Sequence, residues 1–316
     1  MFLMQREWAE RMTDKTFIIK KIKQLKEEKN AIILAHSYQN VEIDEVADIV
    51  GDSLYLSRQA AFTNKDIIVF AGVYFMAETA KILSPQKRVL LPRKESGCLM
   101  ADMIDIHQLR EFKAKYPGAP VVCYVNSSAE VKSESDICCT SSNAIEVVRS
   151  LGEKRVLFVP DTYLGNYVGK QLPDVEVITY NGFCPTHLRI LPDDVTKMRE
   201  AHEGAIVLAH PECHHEVVNR ADFTGSTTQI MDYVDKSSEK KFIIATEIGV
   251  KERLERDYPD KEFFLISPKA VCPNMKWHKL EDILNALSNE EHEIFVNEEV
   301  AKKALLPIEK MIKIKG

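Results

Sequence analysis

Six residues near the start of the chain, A-I-I-L-A-H at 31–36, return almost unchanged as A-I-V-L-A-H at 205–210. The offset of 174 positions is twice 87, and midway stands P-V-V-C-Y-V-N at 120–126. All three are short apolar runs ending in a polar group, the pattern of buried parallel strands. The landmarks that follow keep the same order and period. D-I-V-G-D-S ends at Ser53, D-I-C-C-T-S at Ser141 and D-F-T-G-S at Ser226, gaps of 88 and 85. Then come I-I-V-F-A-G (67–72), V-L-F-V-P-D (156–161) and F-I-I-A-T-E (242–247). A fourth set, R-V-L-L-P (88–92), V-E-V-I-T-Y (175–180) and E-F-F-L-I-S (262–267), leads each time into one cysteine. These are Cys98, Cys184 and Cys272, with gaps of 86 and 88. Four landmarks in register make an internal repeat, and a repeat decides fold class before anything else does.

Helical patterns lie between the landmarks. Val41, Val46 and Ile49 fall near helical spacing, and Met76, Ala80 and Leu83 stand at i, i+4 and i+7. Alternation of this kind predicts an α/β fold with parallel sheets covered on both faces. The expectation is three homologous three-layer αβα units with short parallel sheets, set about a pseudo-threefold axis with a central active site. The units are residues 1–102, 103–190 and 191–276. An amphipathic helix through Ile18, Ile22 and Leu25 precedes the first strand, and a helical tail through Ile283, Leu284 and Leu287 closes the chain. Both end segments, the tail being 277–316, are expected to pack on the first unit.

Composition narrows the function classes. Apolar residues make up 45%, charged residues 28%, and the net charge is −6 without a sustained basic run. That disfavours a nucleic-acid surface, so any anionic ligand must be held locally by amides, hydroxyls and few cations. The start M-F-L-M-Q-R-E-W-A-E lacks the apolar core of a secretory signal. No run reaches the ~18 apolar residues of a membrane span. A cytoplasmic protein is expected, with its seven cysteines as thiols or metal ligands and not as disulfides.

In parallel α/β sheets, ligands bind beyond the carboxyl ends of the strands. The polar groups there are His36 and Tyr38, Tyr124 and Asn126, and His210 and Glu212. Any one of them reads as a loop residue; the set, at matching positions in three repeats, reads as one central site. Ser53, Ser141 and Ser226–Thr227 each stand where a helix is expected to open. Such residues serve as N-caps, and a helix start also offers free amides to an anion. Cys123, Cys138, Cys139 and Cys213 are expected as inert buried thiols. Cys98, Cys184 and Cys272 differ, because the repeat brings one thiol per unit to a common point. Three thiolates without a fourth suit a zinc ion with an open position or an iron–sulfur cluster with one open iron. Spacing does not choose between them, and either one supplies a Lewis acid.

The motifs L-A-H-S-Y-Q, V-G-D-S-L, F-M-A-E, G-C-L-M-A, Y-V-N-S, C-T-S-S-N-A, N-G-F-C-P-T-H, H-P-E-C, G-S-T, A-T-E-I-G and A-V-C-P-N-M, in this order, resemble the quinolinate synthase family over essentially the whole chain. The resemblance implies one oxygen-sensitive [4Fe-4S] cluster on Cys98, Cys184 and Cys272. It also implies condensation of iminoaspartate with dihydroxyacetone phosphate to quinolinate in NAD biosynthesis, with functional coupling to an aspartate oxidase or dehydrogenase; no nucleic-acid or membrane partner is expected. Substrate contacts carried over are His36, Ser53, Tyr124, Asn126, Ser141, His210, Glu212 and Thr227, with Ser226 beside it. Tyr38 and His187 match active-site positions near the cluster. Glu212 is the candidate general acid or base, with Tyr38, His36 and His210 as further proton-handling groups. Some members carry a Cys-X-X-Cys-X-X-Cys run at the last ligand; C-P-N-M here has one cysteine, so disulfide regulation through that run is not expected. Two alternatives are another [4Fe-4S]-dependent hydro-lyase, separable by a product assay, and a non-catalytic iron–sulfur sensor, which would need an output surface that the sequence does not reveal.

Overall fold

A computed structural model describes residues 14–315; the stretch weighed above against a secretory signal lies outside the described residues. The first sheet holds β1 (Ala31–His36), β2 (Ile49–Gly51), β3 (Ile67–Ala71) and β4 (Arg88–Leu90). The second holds β5 (Val121–Tyr124), β6 (Ile137–Cys139), β7 (Arg155–Val159) and β8 (Glu176–Thr179). The third holds β9 (Ile206–Ala209), β10 (Phe223–Thr224), β11 (Lys241–Ala245) and β12 (Glu262–Leu265). All pairings among these strands are parallel. In every sheet the second strand lies at one edge, followed by the first, third and fourth. The chain therefore reverses direction across the sheet between the first and third strands, and a crevice opens at their carboxyl ends.

The repeat persists at atomic detail. The aspartate that opens each second landmark, Asp48, Asp136 or Asp222, donates its N–H to a carbonyl of the first strand, on Ile33, Val121 or Val207, at 2.9, 3.0 and 2.9 Å. Its carboxylate accepts the N–H of that same strand residue at 2.8, 2.7 and 2.7 Å. This reciprocal pair satisfies a backbone donor where the short second strand has not yet begun.

Two local expectations are corrected. The Val41–Ile49 segment is not one helix. A 3₁₀ turn covers Val41–Glu45, and Ile49 opens β2, paired with Leu34. The β-branched pair Ile49–Val50 suits a strand, and Asp48 is occupied in fixing its start. Nor does each repeated serine open a helix. Asp52 caps the helix Ser53–Phe62 and Ser226 caps Thr227–Lys236. Ser141 lies in a turn, three residues before the helix Ala144–Ser150.

The first and second units share one continuous apolar core, which contains Leu34, Ile68 and Phe70 as well as Val122, Val156 and Phe158. The other face of the first sheet packs on Ile18, Ile22 and Leu25 and on Ile283, Leu284 and Leu287. The final helix Glu298–Lys313 lies elsewhere. Ala304, Ile308 and Met311 enter the core shared by units one and two. Its terminal carbonyls are taken by both units: Arg58 donates to Ile312 and Ile314, and Asn143 to Met311 and Ile314. Such side chains replace the hydrogen bonds that a helix end lacks. The third sheet keeps separate apolar clusters on its two faces. Polar links hold it to the first unit, among them buried Arg253, which donates to the carbonyls of Ser37 and Gln39 at 2.7 and 2.9 Å.

The Asp136 carboxylate bond to Val121 is charge-assisted, so Asp136→Ala should lower stability by about 2 kcal/mol. A urea titration checks this through a lower midpoint with unchanged slope.

Candidate active site

One cavity is lined from all three units: by His36, Tyr38 and Ser53; by Tyr124, Asn126 and Ser141; and by His210, Glu212 and Thr227. Cys98, Cys184, Cys272 and His187 line it too. Every site residue read from the sequence thus meets the others here, with one exception. Ser226 is buried outside the lining; its hydroxyl caps its helix and accepts from Ser142 at 2.9 Å. Aligning Gly51-Asp52-Ser53 with Gly225-Ser226-Thr227 shows why. Thr227 is the counterpart of Ser53, and Ser226 that of the cap Asp52.

The first-strand ends obey one local rule. His36 and His210 each accept at Nδ1 the N–H of the residue two positions on, Tyr38 at 3.1 Å and Glu212 at 3.3 Å. Each neutral ring therefore carries its proton on Nε2, and His210 points Nε2 at the Ser141 hydroxyl, 3.2 Å away. Burial, which disfavours a charged ring, lowers His36 to about 4 against the opposing pull of Asp52. It lowers His210 to about 3 against the pull of Glu212.

Glu212 is the charged centre. Burial acts to raise its carboxyl, but the hydrogen bonds from His187 and Tyr124 prevail and hold it below the usual range. Tyr124 donates to Oε1 at 2.5 Å, and His187 Nδ1 lies 2.7 Å from Oε2. The bond to Glu212 puts the His187 proton on Nδ1, so Nε2 accepts from Thr246 Oγ1 at 2.9 Å. Thr246 Oγ1 lies 2.9 Å from the Tyr38 hydroxyl, which Thr227 reaches at 3.1 Å. A hydrogen-bonded chain thus runs from Thr227 through Tyr38, Thr246 and His187 to Glu212. Burial, and then the Glu212 charge, raises both the Tyr38 and Tyr124 hydroxyls well above their ordinary value, so both stay protonated.

Sequence reasoning missed two of these groups. Thr246 stands at the end of a third strand, whereas only first-strand ends were searched; the same crevice rule covers both. Asp52, which caps the helix Ser53–Phe62 and lines the cavity, also accepts from Ser142 at 2.5 Å and Thr228 at 2.8 Å, joining one residue from each unit.

The cysteines share one anchor. The carbonyl two positions before each, on Ser96, Gly182 or Ala270, accepts the first N–H after the third strand's end turn, from Tyr74, Thr162 or Ile248, at 2.8, 2.8 and 2.9 Å. All seven cysteines are free, and Cys123, Cys138, Cys139 and Cys213 are buried as expected. In the protein alone, burial pushes the Cys98 thiol up to about 12, and it raises Cys184 and Cys272 as well. Three thiolates on one zinc ion lie about 3.8 Å apart, from a ~2.3 Å bond and tetrahedral angles. Among the described residues, two side-chain groups bring all their ligand atoms within 4.8 Å of one another, Cys184–His187–Glu212 and the surface group His214–His215–Glu216. The three cysteines do not form such a group. Cys184, His187 and Glu212 are already joined by their own contacts, with His187 Nδ1 3.2 Å from the Cys184 sulfur.

Among the described residues, no helix is long and apolar enough to cross a membrane. Residues 20–313 match the family model described as quinolinate synthetase A protein. The chain is 56% identical over 302 residues to the quinolinate synthase of Alkaliphilus metalliredigens, covering 96% of this chain and 100% of that one. It is 53% identical over 301 residues to the quinolinate synthase of Clostridium kluyveri, with 95% and 99% covered. A Geobacter quinolinate synthase is 51% identical over 293 residues, with 93% and 96% covered.

Buried neutral histidines set a pH dependence. With folded values near 4 and 3 against an ordinary value near 6.5, the unfolded chain binds more protons between those values. Stability should therefore be full above about pH 6.5 and fall as the pH drops toward 4. Denaturant midpoints measured across that window check this, and His210→Asn should flatten the slope.

Proposed function

The chain belongs to the quinolinate synthetase A family, and on that premise we propose that it condenses iminoaspartate with dihydroxyacetone phosphate to quinolinate, phosphate and two waters. Carbon, nitrogen and phosphorus balance, and no external oxidant is needed. The observation that carries the reading is the meeting, in one cavity, of three periodic cysteines and the Tyr124–Glu212–His187 set.

Cys98, Cys184 and Cys272 are the residues that would hold a [4Fe-4S] cluster. When bound, that group supplies Lewis acidity at an iron without a protein ligand. The rest falls to the side chains. Ser53 and Thr227 begin helices of ten residues each beside the cavity. Their hydroxyls and the free amides there suit the carboxylates and phosphate of the substrates. Asn126 Oδ1 is buried without a hydrogen-bond partner, and it suits an N–H donor such as the substrate nitrogen.

Glu212 is ionised and faces the cavity, the state needed to take a proton. His187 holds it, and Thr246 fixes His187 in one tautomer. Tyr38 remains protonated and donates, while the Nε2–H groups of His36 and His210 steady developing negative charge on oxygen. The buried apolar side chains Val73, Phe75 and Met76 line the same cavity and keep water out. Iminoaspartate would come from an aspartate oxidase or dehydrogenase, and the cytoplasm is the expected setting.

Anaerobic purification with iron and sulfide counted, followed by assay of quinolinate from the two substrates, tests the whole reading. Turnover of a different hydroxy acid without quinolinate would redirect it. Cys98→Ala should lose iron and activity together; a full iron complement would remove Cys98 from the ligand set. Glu212→Gln should fold and load iron yet lose turnover by about 10²–10⁴-fold, measured as kcat.

A further inference from the structure

The segments that carry Cys98 and Cys272 belong to different units, yet side chains join them twice. Asn274, two residues after Cys272, donates from Nδ2 to the carbonyl of Gly97 at 2.7 Å. Gly97 is the residue immediately before Cys98, and both Asn274 and Gly97 line the cavity. His278, fully buried, brings Nε2 to 2.7 Å from the Gly72 carbonyl and 2.8 Å from the Ser96 hydroxyl. Ser96 Oγ in turn donates to Gly72 at 2.6 Å. Asn274 reaches the first unit from the third, and His278 from the start of the tail; Asn40 adds bonds to the carbonyls of Lys276 and His278 at 3.1 and 2.8 Å.

We propose that Asn274 is a positioning residue for the three-thiol site: with His278 it forms a clasp that sets the separation of Cys98 and Cys272. The assignment rests on the reading of these cysteines as joint ligands. The physical argument is one of preorganisation. A ligand set held at its working spacing by surrounding hydrogen bonds binds its metal group more tightly than one free to spread. Asn274 suits the task because its amide donates to a backbone carbonyl that cannot swing away, and the bond lies one residue from one thiol and two from the other. The family resemblance of C-P-N-M drew attention to the missing second cysteine, while the asparagine in the same motif received no role.

The test uses Asn274→Asp, which keeps the shape and replaces the donor by an acceptor facing the Gly97 carbonyl, alongside Asn274→Ala. With the metal-loaded protein, iron release to a chelator under anaerobic conditions is followed by absorbance. Loss of one such bond corresponds to release about tenfold faster in both variants, with turnover per bound iron kept. With the metal-free protein, a short bifunctional thiol reagent is used to join Cys98 to Cys272. The yield should fall in both variants while circular dichroism is unchanged. Wild-type rates of iron release together with wild-type cross-linking would overturn the proposal. If the wild-type protein takes up no iron, the ligand reading fails, and the cross-linking arm still decides whether Asn274 sets the spacing.

Discussion

A carboxylate sealed inside a protein stays charged only if its oxygens are met by donors, and leaving one such charge uncompensated costs several kcal/mol. Glu212 meets that demand across a unit boundary, from Tyr124 and His187. Through Thr246 the same chain reaches Tyr38 in the first unit. The requirement to satisfy one buried charge therefore constrains how the three sheets face one another. It also sets the tautomer of His187 and the protonation of two tyrosines without further parts.

The attachment of the third unit has a corresponding character. Units one and two share apolar side chains and the final helix across their boundary, while the third meets them with Met275 and with hydroxyls, a carboxylate and an arginine. Polar junctions depend on direction and distance more steeply than apolar ones. A unit joined in this way is therefore held in register only when its hydrogen bonds are made together.

Much of this was legible in the sequence because backbone geometry forces it. Four parallel strands in a set order require apolar runs, and the crevice rule points at whatever polar residue ends them, which identified His36, Tyr124 and His210. The three cysteines were legible through period alone. What stayed hidden depended on relations between repeats. Ser226 and Thr227 are both hydroxyl residues, and only the placement of the helix cap tells which one faces the cavity. Thr246 follows an apolar strand like many structural threonines, and its importance comes from two partners 59 and 208 residues away. The amphipathic stripe of the last helix announces a buried face but not that two units would share it.

The common anchor of the cysteines carries a wider consequence. Each thiol is pinned within its own unit through a carbonyl two residues upstream, and Asn274 joins two of the three segments directly, so the triangle they make takes its edges from how the units are placed. The thiol triangle thus works as a gauge of quaternary-like order inside a single chain. A core substitution far from the cavity that tilts one sheet moves one thiol relative to the other two before it is felt in the stability of the fold, so the spacing of the thiols registers packing in regions distant from them.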